Sequence, residues 1–164
     1  MKLETLPAEV ATLLNQLIPF EYSAMYLYQN ATNWCKNNGF KIAAAYFEKE
    51  SLSEIEHAKK LQDFLIKWNV MPELPPIQKP VSFTGLFDII QKAYKIEHDL
   101  YEKHEDVSNK ILKMGDTCVF DFLMFFRQVQ TESVAEYSDM INILQGVDTN
   151  DKFKLLMLEE NLFE

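Results

Sequence analysis

Four helix-length stretches carry apolar residues at alternating three- and four-residue steps, the mark of one helix face turned toward a core. The first runs Leu14, Leu17, Glu21, Ala24, Tyr28, Ala31, Cys35, and the second Ala43, Phe47, Glu50, Glu54, His57, Leu61, Phe64, Trp68. The third runs Phe87, Ile90, Tyr94, Glu97, Tyr101, His104, and the fourth Leu123, Phe126, Gln130, Val134, Tyr137, Ile141, Leu144. Each stripe is interrupted by polar residues near its middle. Burying unpaired charge costs several kcal/mol. Glu21, Glu54, His57 and Glu97 therefore need compensation, and a pair of metal ions is the simplest source. A buried hydrogen-bonded polar network is the alternative.

The patterns predict helices over about 7–38, 41–69, 83–113, 117–145 and 149–161. Pro7 suits a first helical position, and Asp116, Thr117 and Thr149 are candidate N-caps. Pro19 lies inside the first helix, two residues before Glu21, and predicts a kink there. Val70–Ser82 holds Pro72, Pro75, Pro76 and Pro80 and cannot be helical. Its 13 residues, extended, reach about 43 Å, close to the length of a helix of about 29 residues. The segment can therefore return along a whole bundle. A short turn at Gly39, this crossover and a short turn at Gly115 give an all-α, four-helix bundle with one long crossover. The short fifth helix, with Phe153, Leu155, Leu156, Leu158 and Leu162, packs on the bundle end or on another subunit.

The polar interruptions share one height. Glu21 lies 18 residues before Gly39, and Glu54 and His57 lie 15 and 18 after it. Glu97 lies 18 before Gly115, and Gln130 lies 15 after it. At about 1.5 Å per residue, all sit roughly 22–27 Å from their hairpin turns. The intervals Glu21–Glu54 and Glu97–Gln130 are both 33 residues. Two hairpins repeat one plan and aim their polar groups at one level.

Composition narrows the classes. The 164-residue chain fits a single domain, 1–164, and 48% hydrophobic residues exclude a disordered chain. Four glycines leave little room for an all-β fold or a phosphate-cradling loop. The net charge of −9 disfavours nucleic acid and anionic membranes and attracts cations. Cys35 and Cys118 fit reduced thiols and predict a cytoplasmic setting. Met1–Val10 has no apolar core of a signal peptide, and no run is long enough to span a membrane.

Glu54-x-x-His57 alone is a weak motif in a chain with 25 acidic residues. Its force comes from Glu21, Glu97 and Gln130 meeting it at one height. Carboxylates with an imidazole and an amide suit iron, manganese or zinc. Tyr28 reads as a core tyrosine, with a role beside the metals as the alternative. Glu50 is a solvated or ion-paired group, or one that feeds ions inward. His104 reads as a satisfied core or surface histidine, and Glu132, Glu136 and Asp139 as a solvated face. Tyr94, Tyr101 and Phe126 read as core.

Glu21, Tyr28, Glu54-x-x-His57, Glu97 and Gln130 resemble the ferroxidase-centre pattern of ferritins in order and spacing. Tyr22–Leu27, Trp34-Cys35 and Ala43–Phe47 are similar to bacterial non-haem ferritin. The resemblance covers nearly the whole chain, including the short last helix. It implies a ferritin-like bundle and an iron-storage subunit that oxidises two Fe(II) with oxygen or peroxide. It also implies a hollow homo-oligomeric cage of about 24 subunits. Glu21 and His57 would hold one iron, Glu97 and Gln130 the other, and Glu54 would bridge them. Tyr28 matches the family's tyrosine beside the centre, and with Glu54 would act in the oxidation. Bacterioferritins and rubrerythrins carry a second Glu-x-x-His on the fourth helix, where this chain has Gln130 and Ser133. Ile55 stands where bacterioferritin has its haem methionine, which predicts no haem. Ser53, Val129 and Ser133 replace acids of a third iron site, leaving Glu132 alone.

Two other functions compete. A diiron oxidoreductase or peroxide scavenger that stores no iron would be expected to carry the second Glu-x-x-His or a rubredoxin-type cysteine pair. A purely structural shell subunit would be expected to lack the five ligands.

Overall fold

The computed structural model describes residues 1 and 3–164, and they form helices without strands. In chain order these are α1 (Ala8–Asn15), α2 (Ile18–Asn38), α3 (Lys41–Lys67), α4 (Leu86–Lys113), α5 (Thr117–Leu144) and α6 (Lys152–Phe163). Helices α2 and α3 form one hairpin, and α4 and α5 the other. The predicted bundle is observed.

Its first helix is two pieces rather than one kinked rod. A proline ring in a continuous helix would strike the carbonyl four residues back, which for Pro19 is that of Asn15. Helix α1 ends at Asn15, and α2 restarts at Ile18 with Pro19 in its first turn. The Leu17 carbonyl accepts from the amides of both Phe20 and Glu21, at 3.1 and 3.4 Å. Pro7 stands just outside α1 rather than in its first helical position.

Three helix ends use one device. At Gly39 the amides of Gly39 and Phe40 reach back to the carbonyls of Lys36 and Cys35. Gly115 and Asp116 do the same to Leu112 and Ile111, and Asn69 and Val70 to Ile66 and Leu65. This closure needs a left-handed residue after the helix, and the φ values are 83°, 77° and 58° for Gly39, Gly115 and Asn69. Of the three N-caps anticipated, Asp116 is one, accepting from the Val119 amide at 3.1 Å. Thr117 is already helical. The last helix starts later than expected, because Asp151 rather than Thr149 accepts from the amides of Phe153 and Lys154.

Residues 68–85 join α3 to α4 without a helix. They must be long because of the helix directions. Tyr28 meets Glu97 while Glu21 meets His104, so α2 and α4 run antiparallel. Phe64 stacks on Phe122 while Tyr46 meets Tyr137, so α3 and α5 do too. Helix α4 therefore starts at the end where α3 started, and the crossover retraces the bundle's length.

The apolar interior is divided. One cluster gathers Val10, Leu14, Leu17, Leu61, Leu65, Ile111 and Leu123, among others. The other gathers Ala31, Phe47, Ile90, Leu100, Leu144, Leu155 and Leu162, among others. Helix α6 closes the second cluster, and its Glu159 accepts from the Ala43 amide at the start of α3. Phe153 and Met157 on α6 stay 71% and 68% exposed. The buried face of α4 is also rotated from the predicted stripe. Leu86, Ala93, Leu100, Val107 and Ile111 are buried, whereas Phe87, Tyr94 and Tyr101 lie half-buried at its flank. Among the described residues no helix is long and apolar enough to cross a membrane.

Candidate metal centre

Between the two apolar clusters lies a polar layer. Glu21 comes from the first turn of α2, Glu54 and His57 from α3, Glu97 from α4 and Gln130 from α5. Their exposures are 0, 2, 8, 0 and 1%. Groups so deeply buried must be paired or bound to cations. The break at Gln16–Leu17 bears on this layer, because it leaves Glu21 at the positive end of α2's dipole.

The five residues meet in two groups. Glu21, Glu54 and His57 each offer a ligand atom within 4.8 Å of the others. His57 Nδ1 lies 3.2 Å from Glu54 Oε2 and 3.7 Å from Glu21 Oε2. Glu97 and Gln130 form the second group, with Gln130 Nε2 donating to Glu97 Oε2 at 2.6 Å. The Tyr28 hydroxyl donates to Glu97 Oε1. Glu21 Oε2 is buried with no hydrogen-bond partner, although it faces His57.

Electrostatics follow from burial and pairing. Burial alone would push the Glu21 carboxyl up, but the hydrogen bond with His104 and the close approach of His57 and Glu54 outweigh it and hold it at about 2. Burial pushes Glu54 well above the usual carboxylate range, and the charges of Glu21 and Glu97 add to this. Glu97 rises to about 7, chiefly by burial. Burial works against a charged His57, but the nearby Glu21 carboxylate and the bond to Glu54 overcome that and raise it to about 10. Without ions the layer therefore approaches neutrality: ionised Glu21 faces protonated His57, and Glu54 keeps its proton. Burial also holds the Tyr28 phenol protonated.

His104 is the residue that sequence reasoning undervalued. It is fully buried, with Nε2 2.8 Å from Glu21 Oε1, but it is not fully satisfied, because Nδ1 has no partner. One signal was present. Glu21 precedes Tyr28 by seven residues and His104 follows Glu97 by seven. In antiparallel helices one pairing implies the other. Glu50 is half-buried rather than solvated or ion-paired, and burial and Glu136 raise its pKa. Glu132, Glu136 and Asp139 are exposed, as expected.

Comparison with known proteins places the chain. The sequence pattern of the ferritin-like domain matches residues 11–147. The bacterial non-heme ferritin of Campylobacter jejuni is 29% identical over 152 residues, 92% of this chain and 86% of that protein. The Escherichia coli protein of the same name is 25% identical over 140 residues, 85% of each. Among solved structures, an open pore ferritin from the archaeon Archaeoglobus fulgidus superposes with a TM-score of 0.88 at 21% identity, covering 96% of both chains.

Proposed function

The chain belongs to the ferritin family, and from that premise we propose that it is an iron-storage subunit that oxidises Fe(II) at a dinuclear centre. One observation carries this reading: a sealed layer of three carboxylates, an imidazole and an amide, with Glu21 Oε2 buried and unpartnered. Iron is the substrate. Glu21 and His57 hold one ion, Glu97 and Gln130 the other, and Glu54 bridges them. Two Fe(II) give up one electron each, and oxygen with two protons becomes hydrogen peroxide. With peroxide as oxidant, the same two electrons and two protons yield two waters. Tyr28 steadies Glu97 beside the reacting ions, and the Fe(III) product passes to a mineral store. The chain acts as one domain, 1–164, without haem, in a cytoplasmic setting that suits the thiols of Cys35 and Cys118.

Anaerobic Fe(II) titration tests the stoichiometry. With Ser53, Val129 and Ser133 at the third-site positions, tight binding should saturate near two ions per chain. Three equivalent tight ions would show that other residues rebuild that site.

Proton release gives a second test. Ions displace the protons of Glu54 and His57 and part of that of Glu97, so binding at pH 7 should release about two to three protons per chain. Affinity should therefore fall as pH falls. The ion-free fold should show the companion trend. Glu97 ionises near 4.5 unfolded and about 7 folded, so its stabilising contribution is complete below 4.5 and lost as pH rises through about 7. Metal binding that releases no protons, measured in weakly buffered solution, would contradict the assignment.

A further inference from the structure

His104 lies outside the five-ligand set. We propose that it is a positioning residue that ties down one oxygen of Glu21 and so presents the other as a single donor to the ion. This rests on the metal-centre reading above and adds a residue to it.

The two oxygens of Glu21 are treated differently. Oε1 is 2.8 Å from His104 Nε2, and because an ionised carboxylate only accepts, the ring nitrogen carries the donated hydrogen. Oε2 has no hydrogen-bond partner and lies on the side of His57, 3.7 Å from Nδ1. A carboxylate free to rotate can close on one cation with both oxygens. Pinned through Oε1, it fills one coordination position and leaves another for the oxidant, as reactive metal sites require.

The ring's setting supports positioning over packing. His104 is fully buried and lies flat on Phe126, with centroids 5.0 Å apart and planes 8° apart. Its Nδ1 is buried without a partner, an arrangement that costs free energy. A leucine or phenylalanine would fill the space without that cost. What the imidazole adds is the bond to Glu21. That bond also crosses from α4 to the first turn of α2, just past the break at Gln16–Leu17.

Two substitutions separate the roles. His104→Phe keeps a flat ring against Phe126 and removes the N–H; His104→Gln discards the ring and keeps an N–H within reach of Glu21. Each full-length protein is titrated anaerobically with Co(II), a probe that oxygen chemistry does not confuse. Dissociation constants, the visible Co(II) absorption band and the ion-free melting temperature are recorded. His104→Phe should weaken the ion held by Glu21 and His57 by about 10–100-fold and shift the band toward a different coordination number. His104→Gln should restore both to nearly wild type. If His104→Phe fails to fold, His104→Leu takes its place. Wild-type affinity and band in the N–H-less variant would overturn the inference alone. Equal losses in both variants would overturn it in favour of ring packing. A wild-type chain that binds no Co(II) at this layer would overturn the metal-centre reading and this inference with it.

Discussion

Glu54→Ala should abolish the rapid phase of Fe(II) oxidation while leaving helix content unchanged. Glu54 belongs to the group with Glu21 and His57, its Oε2 3.2 Å from His57 Nδ1, and its ionisation feels the charges of both Glu21 and Glu97. On the proposed reading it is the bridge, the carboxylate that both ions would share. Without it, two adjacent dications would face only two carboxylates, and their repulsion would expel at least one. Residues that merely orient metal ligands cost about 10–100-fold when removed, so loss of the bridge should exceed about 100-fold in initial rate. The fold should survive, because the ion-free site already bears the cost of burying this acid. Stopped-flow absorbance of the Fe(III) product, with circular dichroism on the same samples, measures both. Unchanged initial kinetics would refute the assignment.

A closed shell is the second large expected result. On the proposed reading one bundle would hold two ions but no mineral, so storage would require many chains around a cavity. The surface has the material for such contacts. Phe153 and Met157 on α6, and Met71, Leu74 and Ile77 on the crossover, are between 65% and 94% exposed. Apolar side chains at such exposure are a liability on a lone subunit and an asset between symmetry-related ones. Leu74–Gln78 also lines a groove of about 310 Å³ against Tyr22, Met25, Tyr26 and Gln29 of α2. Light scattering should return about 24 times the 19.2 kDa chain mass, near 460 kDa. Iron loading should leave a soluble core in that species. A monomer or dimer over a wide concentration range, with no such core, would favour the non-storing diiron oxidoreductase.

The architecture was readable because punctuation and periodicity agreed. Gly39 and Gly115 marked the hairpins, four prolines marked the crossover, and similar distances from those glycines, 15 or 18 residues, placed the polar groups near one level. Where reading fell short, the deciding physics was between helices. The face that α4 buries depends on how α2 and α5 crowd it. Tyr94 and Tyr101 fit a three-four stripe as well as Ala93 and Leu100 do, and only packing chose the second pair. The start of α6 turned on which polar side chain reached two free amides, and Asp151 does so where Thr149 does not. Pro19 did announce a disturbance. That it would end one helix and begin another, leaving Glu21 in a first turn, depended on the turn at Gln16–Leu17. His104 was harder to see because its partner lies 83 residues away, and only the matching seven-residue spacings of Glu21–Tyr28 and Glu97–His104 connect them.

The polar layer between the two apolar clusters has a consequence for assembly of the bundle itself. Leucines and isoleucines pack nearly as well after a helix slides by one turn, so an all-apolar interior sets axial alignment weakly. The pairs Glu21–His104, Tyr28–Glu97 and Gln130–Glu97 can form together in only one alignment. Sliding α2 past α4 by a single turn, about 5.4 Å, would break the first two at once and strand their charges in hydrocarbon. The same groups proposed to take iron thus act as a ratchet stop, fixing which rung of each helix faces which.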